Sequence, residues 1–167
     1  MTRQQQQADE IQQQPSGSTP AVTRRQHRSG KNQAHQPAIN YTQAVHHQHH
    51  DRHGRGWWES HYRTIVFVTN CGYYYWDAGY WFPALGYYPQ YENFEYNGPI
   101  YTYGNLLPDQ VIYNVQRALK ELGYYDGPLT GSFSGVTRPA ISAFQEDNDL
   151  DVTGAIDGPT VEALGLY

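Results

Sequence analysis

The residues best able to do chemistry fall in two groups. Between positions 46 and 61 the chain carries His46, His47, His49, His50, His53 and His61, and neutral imidazole is a good ligand for zinc, nickel or copper. A flexible segment lets the first five, the candidate metal ligands, close around an ion at almost any spacing, but nothing preorganises them. Weak zinc, nickel or copper binding is the most this composition predicts, and a solvated polar linker that binds metal incidentally is the simpler account. No other cofactor is expected. The second group is Tyr124, Tyr125, Asp126, Arg138, Gln145 and Asn148, two aromatic rings with hydrogen-bonding groups of both charges, suited to a polar ligand with an apolar face. Each has a structural alternative: Tyr124 closing a core, Arg138 pairing a carboxylate, Gln145 satisfying buried backbone.

Cys71 stands alone. It excludes an intramolecular disulfide framework and any cysteine-only metal site. A nucleophilic cysteine also needs an oriented base, and nothing in the spacing orients His61 toward it. No catalytic residue is assigned, and Cys71 is expected to be a spectator.

Three zones must hold these groups. Residues 1–56 carry Gln runs at 4–7 and 12–14, with Ser, Thr, Pro, Gly and Arg and one aromatic ring, Tyr41. Such low-complexity sequence cannot bury enough apolar surface to offset an ordering cost of roughly 1–2 kcal/mol per residue, so it is expected to be disordered. Residues 57–103 are dense in Tyr and Trp. A β-branched run, Thr64 to Thr69, predicts a strand, and Tyr73–Trp76 and Tyr80–Phe82 around Asp77-Ala78-Gly79 predict a hairpin. Pro83, Pro89 and Pro99 interrupt any longer ladder. The exposed rings of this tract offer a stacking surface for sugars or a protein partner, or they only cover their neighbours.

Residues 104–167 read as helical. Ile112, Val115, Leu119 and Leu122 share one helical stripe, with Pro108 at its start and Gly123 at its end. A second helix is predicted over 135–147, capped by Ser134 and burying Ala140, Ile141 and Phe144. A third is predicted over 159–164, capped by Asp157. The fold class expected is mainly α: three short helices at the C-terminus, a short aromatic hairpin region before them, and a disordered head.

The helical tail contains a repeat. Leu129-Thr130-Gly131-Ser132-Phe133-Ser134-Gly135-Val136-Thr137 aligns without gaps on Val152-Thr153-Gly154-Ala155-Ile156-Asp157-Gly158-Pro159-Thr160 at an offset of 23 residues. Each copy predicts a loop leading into a helix. Leu129 and Phe133, and Val152 and Ile156, would anchor the two loops in one core while the glycines supply turn conformations.

Gln116-Arg117-Ala118-Leu119, Leu122 to Gly127, Gly131-Ser132-Phe133, Thr137-Arg138, Ala143-Phe144-Gln145 and the closing unit from Gly154 to Leu166 resemble the peptidoglycan-binding domain family in order and spacing over about sixty residues. Val136, where the family commonly has Pro, and Pro139 inside the next helix are departures. The resemblance implies a three-helix module with an internal repeat that holds proteins on the cell wall, with peptidoglycan as partner; Tyr124, Tyr125, Asp126, Arg138, Gln145 and Asn148, around the loop after the first helix and on the second, are the residues expected to meet its glycan or stem peptide. The preceding residues are similar to bacterial envelope proteins in composition only.

Charge separates what remains. Up to Arg63 there are eight basic and four acidic side chains; from Leu107 onward there are three and nine. An acidic tail is a poor match for phosphate backbones, so no nucleic-acid partner is expected. No run of 18 apolar residues predicts a transmembrane segment, and no signal peptide is visible near Met1. The localisation that the resemblance implies is the cell envelope, periplasmic or secreted. About fifty structured residues outside the tail leave no room for a typical catalytic fold. A non-catalytic envelope protein that binds peptidoglycan is therefore expected. The alternatives are a His-rich metal-binding protein anchored by the tail, or an accessory to a cell-wall hydrolase.

Overall fold

A mostly aliphatic run, Ile65 to Val68, and two aromatic runs, Tyr73 to Trp76 and Tyr80 to Phe82, fold as three consecutive antiparallel strands. A computed structural model of the chain describes residues 38–167. Strand β1 is Ile65–Val68, β2 Gly72–Asp77 and β3 Tyr80–Pro83, and a fourth, β4, Ile100–Tyr101, completes one sheet in the order β1-β2-β3-β4. Asp77 pairs with Tyr80 across a two-residue turn of Ala78 and Gly79, both at positive φ. This turn suits the right-handed twist of a hairpin.

Period-two alternation gives the sheet two buried faces. Tyr75, Tyr80 and Phe82 point to one, where they meet Ala44 and Trp58 from helices α1 (Tyr41–His47) and α2 (Arg55–His61). Tyr74 and Trp81 point to the other, into a core shared with helices α3 (Pro108–Glu121), α4 (Thr137–Asp147) and α5 (Gly158–Ala163). Fully burying one such side chain is worth about 1.5–3 kcal/mol. The sheet is thus a middle layer, with helices on both sides.

The mainly-α expectation is corrected by this sheet. Helical residues make up 37% of the structure and strands 12%. The three C-terminal helices occur close to where periodicity placed them, but they are no freestanding three-helix module, because Val68, Cys71, Tyr74, Trp81, Tyr96 and Ile100 complete their core. The sequence pattern hid this because the strand aromatics are sandwiched, and a helix periodicity does not say what its apolar stripe meets.

Two further expectations change. Part of the head read as disordered, from Asn40 onward, forms α1 and α2: Asn40 caps α1 by accepting from Gln43 N–H, and the Trp58 indole N–H donates to the carbonyls of His53 and Leu85. The expectation for residues 1–37 lies outside the described residues. Leu122 is 56% exposed as the C-cap of α3, since the helix ends where its stripe would have turned inward.

Each C-terminal helix closes with the same device. Gly123, Asp149 and Gly165 take positive φ, and Tyr124, Leu150 and Leu166 donate backbone N–H back to Leu119, Gln145 and Val161, the paired bonds of a Schellman stop.

Candidate functional site

Both copies of the repeat are fastened by a buried glutamine from the helix before them. Gln116, on α3, accepts from the N–H groups of Thr130 and Gly131 through Oε1, and its amide nitrogen donates to the Ser132 carbonyl and the Thr137 hydroxyl. Gln145, on α4, accepts from Gly154 N–H and donates to the Ala155 carbonyl and the hydroxyls of Thr153 and Thr160. Both side chains are 0% exposed. A buried amide with its lone pairs and protons engaged fixes a loop that no regular secondary structure supports. Phe133 and Ile156 then enter the core together with Leu119 and Phe144.

The helix starts differ. Asp157 caps α5 by accepting from Thr160 N–H at 2.9 Å, and its other oxygen accepts from the Thr153 hydroxyl. Ser134, expected to cap the second helix over 135–147, makes no such bond: α4 begins at Thr137, and Ser134 reaches only the Thr137 hydroxyl, 3.2 Å away. The α4 start thus lacks the side-chain cap that Asp157 gives α5.

Three cavities adjoin around the first copy. A shallow cleft of about 500 Å³ lies between the Tyr124–Gly127 turn and the α4 side chains Pro139, Ala140 and Ala143. A second, of about 440 Å³, has Asp109, Glu95 and the hydroxyls of Thr130, Ser132 and Ser134 on its walls. A third, of about 250 Å³, holds Arg138, Glu95 and the Tyr96–Phe133 ring pair. The first two share Tyr125 and Val136, and the last two share Glu95 and Ser134. Residues 152–160 line none of the three.

Four of the six candidate ligand-binding residues stand at this surface. Tyr124 is partly exposed and donates its hydroxyl to Asp147 at 2.9 Å; that bond pushes its phenol pKa up. Asp126 is exposed on the same cleft. Arg138 is exposed, and its guanidinium stands 5.9 Å from the centroid of the Tyr96 ring. Gly154, at φ +63, lets the Arg138 stem pass, since a Cβ there would come within 3.0 Å of its Nε. Tyr125 touches the cleft but is 2% exposed and donates to the Pro128 carbonyl. The other two stand apart. Gln145 is the loop fastener just described, and Asn148 binds the Phe144 carbonyl at the end of α4.

Sequence reasoning missed Gln116, Glu95, Tyr96 and Asp109. One signal was available. Tyr96-Asn97-Gly98-Pro99 and Tyr125-Asp126-Gly127-Pro128 are the same tetrapeptide type, and in both the tyrosine hydroxyl donates to the proline carbonyl over a glycine that leaves room for the ring. Tyr96 then stacks on Phe133 at 4.1 Å. Gln116 was the counterpart of a residue already singled out, Gln145.

The histidines take other roles. His46, His47 and His50 are exposed, and His47 Nε2 lies 2.7 Å from an Asp77 oxygen. His53 and His61 both stack on Trp57, with ring centroids 3.6 and 4.0 Å away. His49 packs against Trp57, Tyr62 and Tyr75, and burial followed by the charges of His53, His47 and His61 lowers its pKa. The flexible loop assumed for metal binding is an ordered, ring-packed segment. Among the described residues no three His, Cys, Asp or Glu side chains converge as a metal site would require. Burial raises the Cys71 thiol pKa, the reverse of nucleophile activation, and Cys71 lies in the core on the α3–α5 side while the His61 ring bonds the Trp57 carbonyl.

The helical part of the chain is thus a doubled, glutamine-fastened helix–loop unit with hollows over one copy. Residues 108–164 match the family model described as putative peptidoglycan binding domain. The chain is also similar to the localization factor PodJL of Caulobacter vibrioides, in strain NA1000 / CB15N and in strain ATCC 19089 / CIP 103742 / CB 15, at 46% identity over 52 residues. Those residues are 31% of this chain and 5% of each relative, so the chain spans only a small part of their length. No solved structure matches the chain. Among the described residues no helix is long and apolar enough to cross a membrane.

Proposed function

We propose that the chain is a non-catalytic protein of the cell envelope, periplasmic or secreted, that holds peptidoglycan through the surface over its first repeat. The observation that carries this reading is the coincidence of the family match with the cleft: Tyr124 and Asp126 face Pro139 and Ala143 across it. An aromatic face, a carboxylate and a nearby free guanidinium suit a ligand built of sugar rings and short peptides. The α3–α5 core keeps these groups in place. On the other side of the sheet, Phe67, Tyr73, Tyr88 and Tyr91 form a run of ring contacts, with Phe67 47% and Tyr91 52% exposed. That run is a surface for a protein partner.

Co-sedimentation of the full chain with purified wall sacculi tests the reading. The unaltered chain is expected to pellet with sacculi, and Tyr124→Ala with Asp126→Ala is expected to reduce the bound fraction at least about fivefold, with a modest fall in melting temperature because Asp126 is exposed and Tyr124 is partly buried against Phe144. Equal pelleting of the two proteins would contradict this site, and no pelleting of either would contradict the function.

A further inference from the structure

The two smaller hollows form one groove with unlike ends, because Glu95 and Ser134 belong to both. Arg138 is at one end. Among the described residues its guanidinium makes no hydrogen bond or ion pair; it stands over the face of Tyr96, with its Nε passing beside Gly154. Five donors on a planar fork are therefore free to meet a carboxylate in bidentate fashion.

At the other end is Asp109, in the first turn of α3. Its Oδ1 is buried and has no hydrogen-bond partner among the described residues. Glu95 adds a second carboxylate, tied to the loop by accepting from Gly135 N–H at 3.2 Å. The walls at this end contain no Lys, Arg or His. A carboxylate oxygen shut away from water and left unbonded is costly, and a ligand ammonium brings both the missing donors and the missing charge.

Part of this groove, Val68 to Asn70 with Glu95 and Tyr96, comes from outside the matched segment. Glu95 and Tyr96 lie in the loop before β4, and Tyr96 is locked by its bond to Pro99 and its stack on Phe133. The layer that overturned the mainly-α expectation thus supplies one wall and part of the negative end.

We infer that this groove takes a zwitterionic peptide end, with its carboxylate on Arg138 and its ammonium on Asp109 and Glu95. The inference rests on the proposed function, because in the wall polymer such an end is the diamino acid of a stem peptide that has not been cross-linked. Cross-linking consumes the ammonium, so the groove distinguishes nascent or trimmed wall from finished wall.

Calorimetric titration of the full chain with three probes tests it: a free stem tripeptide ending in a diamino acid, the same peptide acetylated on the side-chain amine, and the same peptide amidated at its terminal carboxylate. The free peptide is expected to bind, and each blocked form at least about tenfold more weakly, as the loss of a charge-assisted contact requires. Arg138→Gln should be indifferent to amidation and Asp109→Asn indifferent to acetylation. Equal affinity for free and blocked peptides overturns the inference, as does a chain that pellets with sacculi but shows no saturable heat with the free tripeptide; in that second case the proposed function stands. Binding of the tripeptide with this pattern by a chain that ignores sacculi supports the inference and overturns the function. Should Asp109→Asn fail to fold, the acetylated probe on the unaltered chain decides the ammonium end by itself.

Discussion

Residues 129–137 and 152–160 share a sequence pattern and a buried glutamine fastener, but they face different surroundings. The second copy closes directly on the sheet: Tyr101 of β4 donates its N–H to the Ile156 carbonyl at 2.9 Å, and Asp157 is 4% exposed with both carboxylate oxygens engaged. The first copy meets the loop before β4, and the cavities lie between. Duplication thus supplied two similar loops, of which one completes the structure and the other keeps polar groups available. A repeat legible in sequence identifies a fold unit, whereas its neighbours decide which copy can bind.

The glutamines give the largest effects with which to break this comparison. Gln116→Leu or Gln145→Leu leaves several buried backbone and hydroxyl groups unpaired and should cost roughly 2–4 kcal/mol each, read as a fall in denaturant midpoint. Below its melting range the Gln145 variant should still pellet with sacculi, and the Gln116 variant should not, because only its loop lines the cavities. Equal loss of binding in both would end the distinction between the copies. The helix caps come next. Asp157→Ala should cost about 1–2 kcal/mol in chemical denaturation, while Ser134→Ala, which removes no N–H cap, should stay within about 0.5 kcal/mol.

Much of the tail was legible because its signals are local. The stripe Ile112, Val115, Leu119, the Asp157 cap and the doubled Thr-Gly loop each depend on residues close in sequence. The sheet turn was legible in part: Asp77 to Tyr80 read as a hairpin, with its turn one residue shorter than expected. What could not be read were the partners. Gln145 was chosen as a polar residue on a helix, and only the fold places it at 0% exposure among Thr153, Ala155 and Thr160. Glu95 and Asp109 gave no pattern, since they lie 14 positions apart with a strand between and only the folded loops bring them to one cavity. The ordering of α1 and α2 escaped notice because Trp58 and Ala44 are anchored by strand residues 17 or more positions away, which composition does not report.

Smaller effects sharpen the account of the helix ends and of the histidine layer. Asp149 holds a left-handed position, φ 55, that Gly123 and Gly165 hold in the sister stops. Asp149→Gly should raise stability by about 0.5–1 kcal/mol, measured by thermal unfolding. His49 titrates at a lower pH in the folded chain than its ordinary value of 6.5, first through burial and then through its neighbouring imidazoles. The folded state therefore binds fewer protons, so stability is full above pH 6.5 and declines as pH falls through the folded value. Melting curves between pH 7.5 and 5 should show that decline, and His49→Gln should flatten it.

The most direct test of the central claim is a residue-by-residue chemical-shift map of the full chain titrated with soluble wall fragments. Shifts should concentrate at Tyr124 to Gly127, Ser132 to Ala143, Glu95 and Asp109, with residues 152–160 nearly still. Shifts centred on the second copy, or spread evenly over both, would contradict the account.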